Sequence, residues 1–507
     1  MTGTQPPAPA SGAPSGEPGS EFRKDMGPWA NFALGFTYLS PVVGTYTLFG
    51  IAIADGGPPM IWAFLVAGCG QFLVALIFGE IVAQYPIAGG VYPWARRLWG
   101  KRWAWMTGWV YMWALLVTIT SVAYGAGPYI AILFGFRATV HTTVLCTAVL
   151  IVVAILINYM GTKALSAAAL IGFAGELIGA LVVGVYLLAT HRHHGLGVIF
   201  DTYGVEGDGS YLPAFLAAGI IGLYQYYGFE ACGDTAEEVA HPGRVIPRAM
   251  RRTIYIGGSA ATFTCMSLLL SVTDFDAIIS GEQTDPVVDV LYDAMGETGA
   301  RMVMAVVLIS FLSCTISLQA AAGRLIYSYA RDEMIVGHRL LRRFVHARAV
   351  PSWALFVSAA VPLLIAFASL LSEDALTNIV SFAILGIYGS FQMVVLAALR
   401  ARLKGWRPAG EFTLGRWGLT VNIAALVYGI LAIINICWAR SPEKSWWENW
   451  IVLLCGGVVL GTGLLYMFTT HHYGRGDAPA GDAVPQKAAS TAGGPRPGAP
   501  GKWDEKG

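Results

Sequence analysis

Tyr224-Gln225-Tyr226-Tyr227-Gly228-Phe229-Glu230-Ala231-Cys232-Gly233-Asp234 lies inside an apolar stretch long enough to cross a bilayer. A carboxylate at that depth is costly unless it faces a cavity or a partner. The two glycines around it weaken a helix there. A second interruption, Ser40-Pro41-Val42-Val43-Gly44-Thr45, falls in the first apolar stretch. Two interrupted membrane segments in one chain point to a transport site rather than a passive anchor.

The rest of the chain supports that setting. Its 507 residues are 55% hydrophobic and only 12% charged, against about 25% charged in soluble domains. Apolar stretches of about 20 residues recur, each enough for one helical crossing, and the short alternating strands of a membrane barrel are absent. A net charge of +1 gives no bulk attraction to nucleic acid. Cys69, Cys146, Cys232, Cys265, Cys314, Cys437 and Cys455 lie in or beside apolar segments without metal-like spacing, so they read as small interior residues. No cofactor is called for. The first 28 residues have no apolar core of a signal peptide, and both they and residues 474–507 read as disordered tails.

The expected fold class is an all-α polytopic membrane protein with twelve transmembrane helices, at 29–54, 58–83, 103–132, 140–160, 165–189, 212–238, 250–272, 299–329, 351–371, 374–400, 415–438 and 448–470. Arg96, Arg97, Lys101 and Arg102, then Arg244 to Arg252, Arg339 to Arg348 and Arg400 to Arg407 fall in alternate loops, while the other loops collect acids such as Asp274, Asp276 and Glu282. This is the positive-inside pattern for a chain with both termini cytoplasmic. The interruptions occupy matching places in two sets of five helices. The expected organisation is therefore an inverted five-plus-five repeat with broken helices one and six: 29–189, then 212–400, with helices eleven and twelve at 415–470.

Chemistry gathers at the breaks. Pro41 has no amide hydrogen and disrupts the preceding turn. Amides at the start of the following half-helix favour a carboxylate, which assigns Val43, Gly44 and Thr45, with Ser40 nearby, to a substrate carboxylate. At the second break Tyr226, Tyr227, Gly228 and Phe229 accompany Glu230, and aromatic faces attract amines. Glu230 has three open roles: pairing with a substrate ammonium, carrying a coupling proton, or bracing the break. Glu176 is the other buried acid, either titrating during transport or bonding to neighbouring helices. Ser310, Ser313, Cys314, Thr315 and Ser317 form a polar cluster, of which Ser313, Thr315 and Ser317 are sodium candidates or ordinary helix contacts. Glu237, Glu238 and Arg331 are candidates for an inner gate. The loop histidines His191, His193 and His194 read as solvated. Without a nucleophile–base pair or metal cluster at one depth, an enzyme is not expected, nor is ATP drive without a nucleotide-binding loop.

Three segments resemble the amino acid–polyamine–organocation (APC) superfamily: Gly79-Glu-Ile-Val-Ala-Gln-Tyr-Pro86-Ile-Ala-Gly-Gly90-Val-Tyr92, Gly228-Phe-Glu through Glu237-Glu238 to Ile246-Pro247-Arg248-Ala249, and Arg324-Leu-Ile-Tyr-Ser-Tyr-Ala-Arg331-Asp332. The nearest likeness is to its amino acid/choline transporter branch. The resemblance covers residues 25–470 and implies a permease in the cytoplasmic membrane with a central site between broken helices one and six. Tyr111, Trp113 and Tyr388 are further wall candidates. Two departures stand out. Ser-Pro-Val-Val-Gly replaces the usual Gly-Ser-Gly-like run, and the fifth helix carries Glu176 rather than the lysine of some proton-coupled relatives. The expected function is a secondary transporter importing an amino acid or related amine-bearing solute, driven by protons, with choline or polyamine transport, sodium symport and exchange as alternatives. No obligate protein partner is implied, and monomer and homodimer both remain open.

Overall fold

The computed structural model describes residues 22–371, 375–440 and 443–474. The tails expected at 1–28 and 474–507 fall largely outside these residues. Where the first is described it is packed: Phe22 and Met26 are buried, and Met26 bridges to Val239.

Every main element is helical. In chain order they are α1 (Pro28–Leu39), α2 (Pro41–Gly56), α3 (Trp62–Gln84), α4 (Val91–Trp99), α5 (Lys101–Gly125), α6 (Gly127–Phe134), α7 (Val140–Tyr159), α8 (Thr162–Leu177) and α9 (Val183–Thr190). There follow α10 (Leu212–Ala218), α11 (Ile220–Gln225), α12 (Ala231–Asp234), α13 (Pro242–Arg252), α14 (Gly258–Ser271), α15 (Phe275–Ile279) and α16 (Pro286–Arg331). The last are α17 (His338–Leu341), α18 (Ser352–Ala368), α19 (Ala375–Leu403), α20 (Gly418–Cys437), α21 (Trp446–Asn449) and α22 (Ile451–Thr470).

Among the described residues, ten helical segments are long and apolar enough to cross a membrane. Two shorter apolar segments, Leu212–Gln225 and Ser352–Ala368, fall at the other two expected places. The chain is therefore an all-α polytopic membrane protein. Several expected spans change shape. The segment expected at 212–238 is not one helix: it stops at Gln225, resumes only for α12, and leaves 226–230 outside any helix. The helix expected at 299–329 begins earlier, and α16 bends at Gly296, whose φ of 65° only glycine adopts cheaply. Single π turns, Ile178–Val182 and Thr253–Gly257, join α8 to α9 and α13 to α14.

Burial sorts the bundle into an inside and an outside. The α1–α2 segment has 83% of its apolar window buried, whereas α22 has 11%. The all-apolar surface of α22 therefore meets lipid, as the outer face of a membrane helix must. Around α1 lie α8, α13 and α16, and α5 runs between α16 and α19. This arrangement surrounds both chain breaks with helices.

Candidate functional site

At the first break the helix stops because Pro41 cannot donate and Ser40 takes a left-handed φ of 42°. Proline suits the first position of the next helix, where the amide would be unpaired anyway. The freed groups then need partners in a region without water. The Glu176 carboxylate from α8 supplies two of them: it accepts from the Ser40 hydroxyl and, at 3.1 Å, from the Val42 amide. The Val43 amide donates to Ser40 Oγ at 3.1 Å, and the Gly44 amide reaches the Ser40 carbonyl at 3.4 Å. On the other side of the break, Gln225 Nε2 donates to the carbonyls of Leu39 and Ser40, both at 3.0 Å. Thr45 Oγ1 donates to Gln225 Oε1 at 3.3 Å.

The Val43 and Gly44 amides, assigned on sequence to a substrate carboxylate, have acceptors within the chain. A protein carboxylate, Glu176, stands next to them, on the Val42 amide and the Ser40 hydroxyl. Gly44 is needed for another reason: a Cβ there would stand 2.4 Å from Gln225 Oε1.

The second break is built around Glu230. Gly228 has φ 109°, and a Cβ on it would lie 2.6 Å from the Leu39 nitrogen. Glycine thus allows the two broken segments to touch. The Glu230 carboxylate accepts the Gly228 amide at 2.8 Å, and the Tyr111 hydroxyl of α5 stands 3.4 Å away. The same hydroxyl is 3.2 Å from Asp234 Oδ2. Glu230 and Asp234 are one helical turn apart and both are fully buried, and Asp234 Oδ1 has no hydrogen-bond partner. One phenolic hydrogen therefore faces two carboxylates. Such a pair suits a cationic group or a shared proton.

The aromatic residues beside Glu230 do not converge into one cage. Tyr226 turns to α3 and α14, with its hydroxyl 3.5 Å from Thr262 and its ring against Phe64. Phe229 faces Phe78 and Phe391. Tyr227 stays central, its ring edge-on to Tyr38 and Tyr224 at 6.2 and 5.5 Å. Of the further wall candidates, Tyr111 touches Glu230. Tyr388 instead donates to the Leu223 carbonyl at 3.2 Å, supporting the end of α11. Trp113 packs on Trp109, which bonds to α22, on the opposite side of α5.

The serine and threonine candidates on α16 also separate. Thr315 bonds back to the Phe311 carbonyl at 2.8 Å and Ser317 pairs with Thr37 at 3.0 Å. Ser313 is buried with its hydroxyl unpartnered, against Gly172 of α8.

At the arginine-rich end of the bundle, Arg331 and Glu237 form an ion pair at 3.0 Å, and Glu237 also accepts the Ala88 amide at 3.1 Å. Glu238 takes a different partner: Arg324 binds it through two nitrogens at 2.5 and 3.0 Å, and Thr162 donates at 2.7 Å. Asp332 accepts from Arg96 and Tyr92 at 3.0 and 2.7 Å. These bonds join α4, α8, α16 and the segment after α12. Gln225 was not assigned a role on sequence, although it lies in the quoted run, five residues before Glu230.

Three relatives align with most of this chain. Amino-acid permease BAT1 of Arabidopsis thaliana is 24% identical over 481 residues, 89% of this chain and 93% of that protein. The choline transporter of Saccharomyces cerevisiae is 24% identical over 444 residues, 84% of this chain and 77% of its own. The L-asparagine permease of Streptomyces coelicolor is 27% identical over 402 residues, 76% and 79% of the two chains. The family model described as amino acid permease matches residues 26–462. That span takes in both breaks and every acid discussed above, and the chain belongs to the amino acid permease family of polytopic membrane transporters.

Proposed function

We propose that this protein is a secondary active transporter that imports an amino acid or related amine-bearing solute across the cytoplasmic membrane, coupled to protons. The observation that carries the reading is the Glu230 carboxylate, fully buried at a break in the chain beside Asp234 and Tyr111. A pair of acids in a membrane interior, without an ion-pair partner among the described residues, marks a place where a cation or proton enters and leaves. The solute's amine is bound at Glu230, with Tyr38, Tyr111 and Tyr227 around it. Glu230 and Glu176 are the candidates for the coupling proton.

Twelve spans with both termini cytoplasmic, arranged as the inverted five-plus-five repeat, give this site its mechanism. Rocking of one set against the other opens either side in turn. Glu237–Arg331, with Glu238–Arg324 behind it, closes the cytoplasmic side. Two relatives, an amino-acid permease and an L-asparagine permease, support amino acids as the solute class.

A second reading, a choline or other organic-cation permease, rests on the same acids and tyrosines and on the yeast relative. Uptake into proteoliposomes across a panel of labelled amino acids, polyamines and choline, under imposed proton or sodium gradients, separates these. Uptake of a zwitterionic amino acid driven by a proton gradient is expected. Choline uptake without competition by any zwitterion would overturn the solute assignment, and dependence on sodium alone would overturn the coupling.

A further inference from the structure

Most arginines at the arginine-rich end of the bundle are engaged. Arg96, Arg324, Arg331 and Arg402 pair with Asp332, Glu238, Glu237 and Glu80, and Arg251 lies over the Phe412 ring. Arg244, Arg248 and Arg252 are different. They recur every fourth residue along α13, so they share one face of the helix. All three are exposed, and none has a hydrogen-bond or ion-pair partner among the described residues.

These three side chains line a cavity of about 400 Å³ together with His241, Phe32 of α1 and Glu411. Glu411 makes no ion pair with them, so the cavity keeps an excess of positive charge. Its position relative to the bilayer is marked by apolar neighbours. Trp29, 65% exposed, stands at the start of α1, and Tyr255, 51% exposed, follows Arg252 where the chain turns apolar. Aromatic side chains of this kind sit at the headgroup level of a membrane.

We propose that this cavity binds the phosphate of an anionic phospholipid headgroup. Guanidinium groups match phosphate oxygens in charge and geometry. Eight residues of helix separate the first and last arginine, a span of about 12 Å. That length suits a headgroup lying along α13, with its acyl chains against Tyr255 and Ile256, better than a single ion. Basic hollows between membrane helices hold such headgroups for the same physical reason. Because the cavity joins α1 to α13, a bound lipid clasps the helix leading into the first break to the helix that follows the second.

The test uses the full chain in detergent micelles and counts retained lipid by native mass spectrometry. Phosphatidylglycerol, phosphatidylcholine and inorganic phosphate are titrated separately. The combined variant Arg244→Gln, Arg248→Gln, Arg252→Gln is expected to weaken phosphatidylglycerol binding by on the order of 10- to 100-fold, with phosphatidylcholine unchanged. Removing equal charge elsewhere, by Arg339→Gln, Arg343→Gln and Arg407→Gln, leaves it near the wild-type value. The triple lysine variant at 244, 248 and 252 restores most binding and covers the case in which the glutamine variant does not fold. Equal phosphatidylglycerol retention by wild type and glutamine variant would overturn the site. Equal losses in the control variant would reduce it to bulk charge and overturn it too. Saturable phosphate binding that phosphatidylglycerol does not displace would overturn the lipid as its source.

Discussion

Gly44→Ala and Gln225→Ala form a double-mutant cycle across the two breaks. In the single Gly44→Ala variant, the new Cβ meets Gln225 Oε1 at 2.4 Å and Cδ at 3.0 Å. A free glutamine would swing away at little cost. This one is held by the Leu39 and Ser40 carbonyls and by Thr45, so moving it sacrifices bonds of about 1 kcal/mol each. A destabilisation of about 2–3 kcal/mol is expected, in the usual range for overpacking. Gln225→Ala alone takes the side-chain donor from the buried Leu39 carbonyl, at about 1–3 kcal/mol, and leaves the Ser40 carbonyl only the long bond from the Gly44 amide. With Gln225 already truncated, the clash is gone, and alanine at 44 becomes neutral or gains up to about 1 kcal/mol over glycine within a helix. The two changes should therefore couple by about 2–4 kcal/mol. Unfolding in mixed micelles by increasing denaturing detergent measures all four corners of the cycle, and uptake by the same proteins shows whether transport follows stability. Additivity within about 0.5 kcal/mol, the value for sites that do not touch, would mean that Gln225 does not span the break.

Glu230→Gln keeps the size of the side chain but removes its charge, and uptake is expected to fall at least about tenfold, as for loss of one partner in a buried charged contact; near-normal uptake with unchanged pH dependence would remove Glu230 from the centre of transport. Arg324→Ala strands the buried Glu238 carboxylate and should cost about 3–5 kcal/mol, whereas Arg301→Ala, which breaks an exposed pair with Glu297, should cost less than about 1 kcal/mol in the same unfolding assay. Gly228→Ala and Gly204→Ala both place alanine at positive φ, but only the first drives a Cβ into neighbouring backbone; the Gly228 variant should be the more destabilised and should lose uptake, and equal effects would show that the close contact of the two breaks is unimportant.

The main features of the fold were legible because a membrane imposes them. Runs such as 140–160 and 451–470 have one physical reading at that length and hydropathy, and α7 and α22 fall there. The breaks were legible because Pro41 and Gly228 are poor continuations of a helix. Of the partners across the breaks, a bond from Glu176 to a hydroxyl of helix one was one of two open readings, and the Gln225 bridge was not foreseen. Glu176 and Ser40 are far apart in the chain, and no local pattern states which acid of several reaches which helix end. The same applies at the arginine-rich end. Glu237 and Glu238 are adjacent, but they point to different helices and take Arg331 and Arg324 respectively. Side-chain direction also decided the aromatic residues. Tyr226, Tyr227 and Phe229 are neighbours in sequence, yet in a non-helical stretch successive side chains diverge, and only Tyr227 remains beside Glu230.

The two breaks divide their labour unequally. At the first, Ser40, Glu176 and Gln225 occupy hydrogen-bonding groups exposed by the interruption. A solute carboxylate that used the Val42 amide would have to displace Glu176, and two carboxylates at one helix end repel each other. At the second, Glu230 and Asp234 share one hydroxyl, and one Asp234 oxygen has no hydrogen-bond partner. The buried carboxylate oxygen without a hydrogen-bond partner therefore lies at the second break. This argues that recognition begins with the solute's amine, and that its carboxylate gains a place only if Glu176 moves or is neutralised. Glu176→Gln tests the order directly. Removing its charge while retaining its shape should strengthen binding of carboxylate-bearing solutes relative to the corresponding amines without a carboxylate. Competition for uptake between each amino acid and its decarboxylated amine reads that ratio. A ratio unchanged from wild type would show that Glu176 only braces the helix end and that the solute carboxylate is held elsewhere.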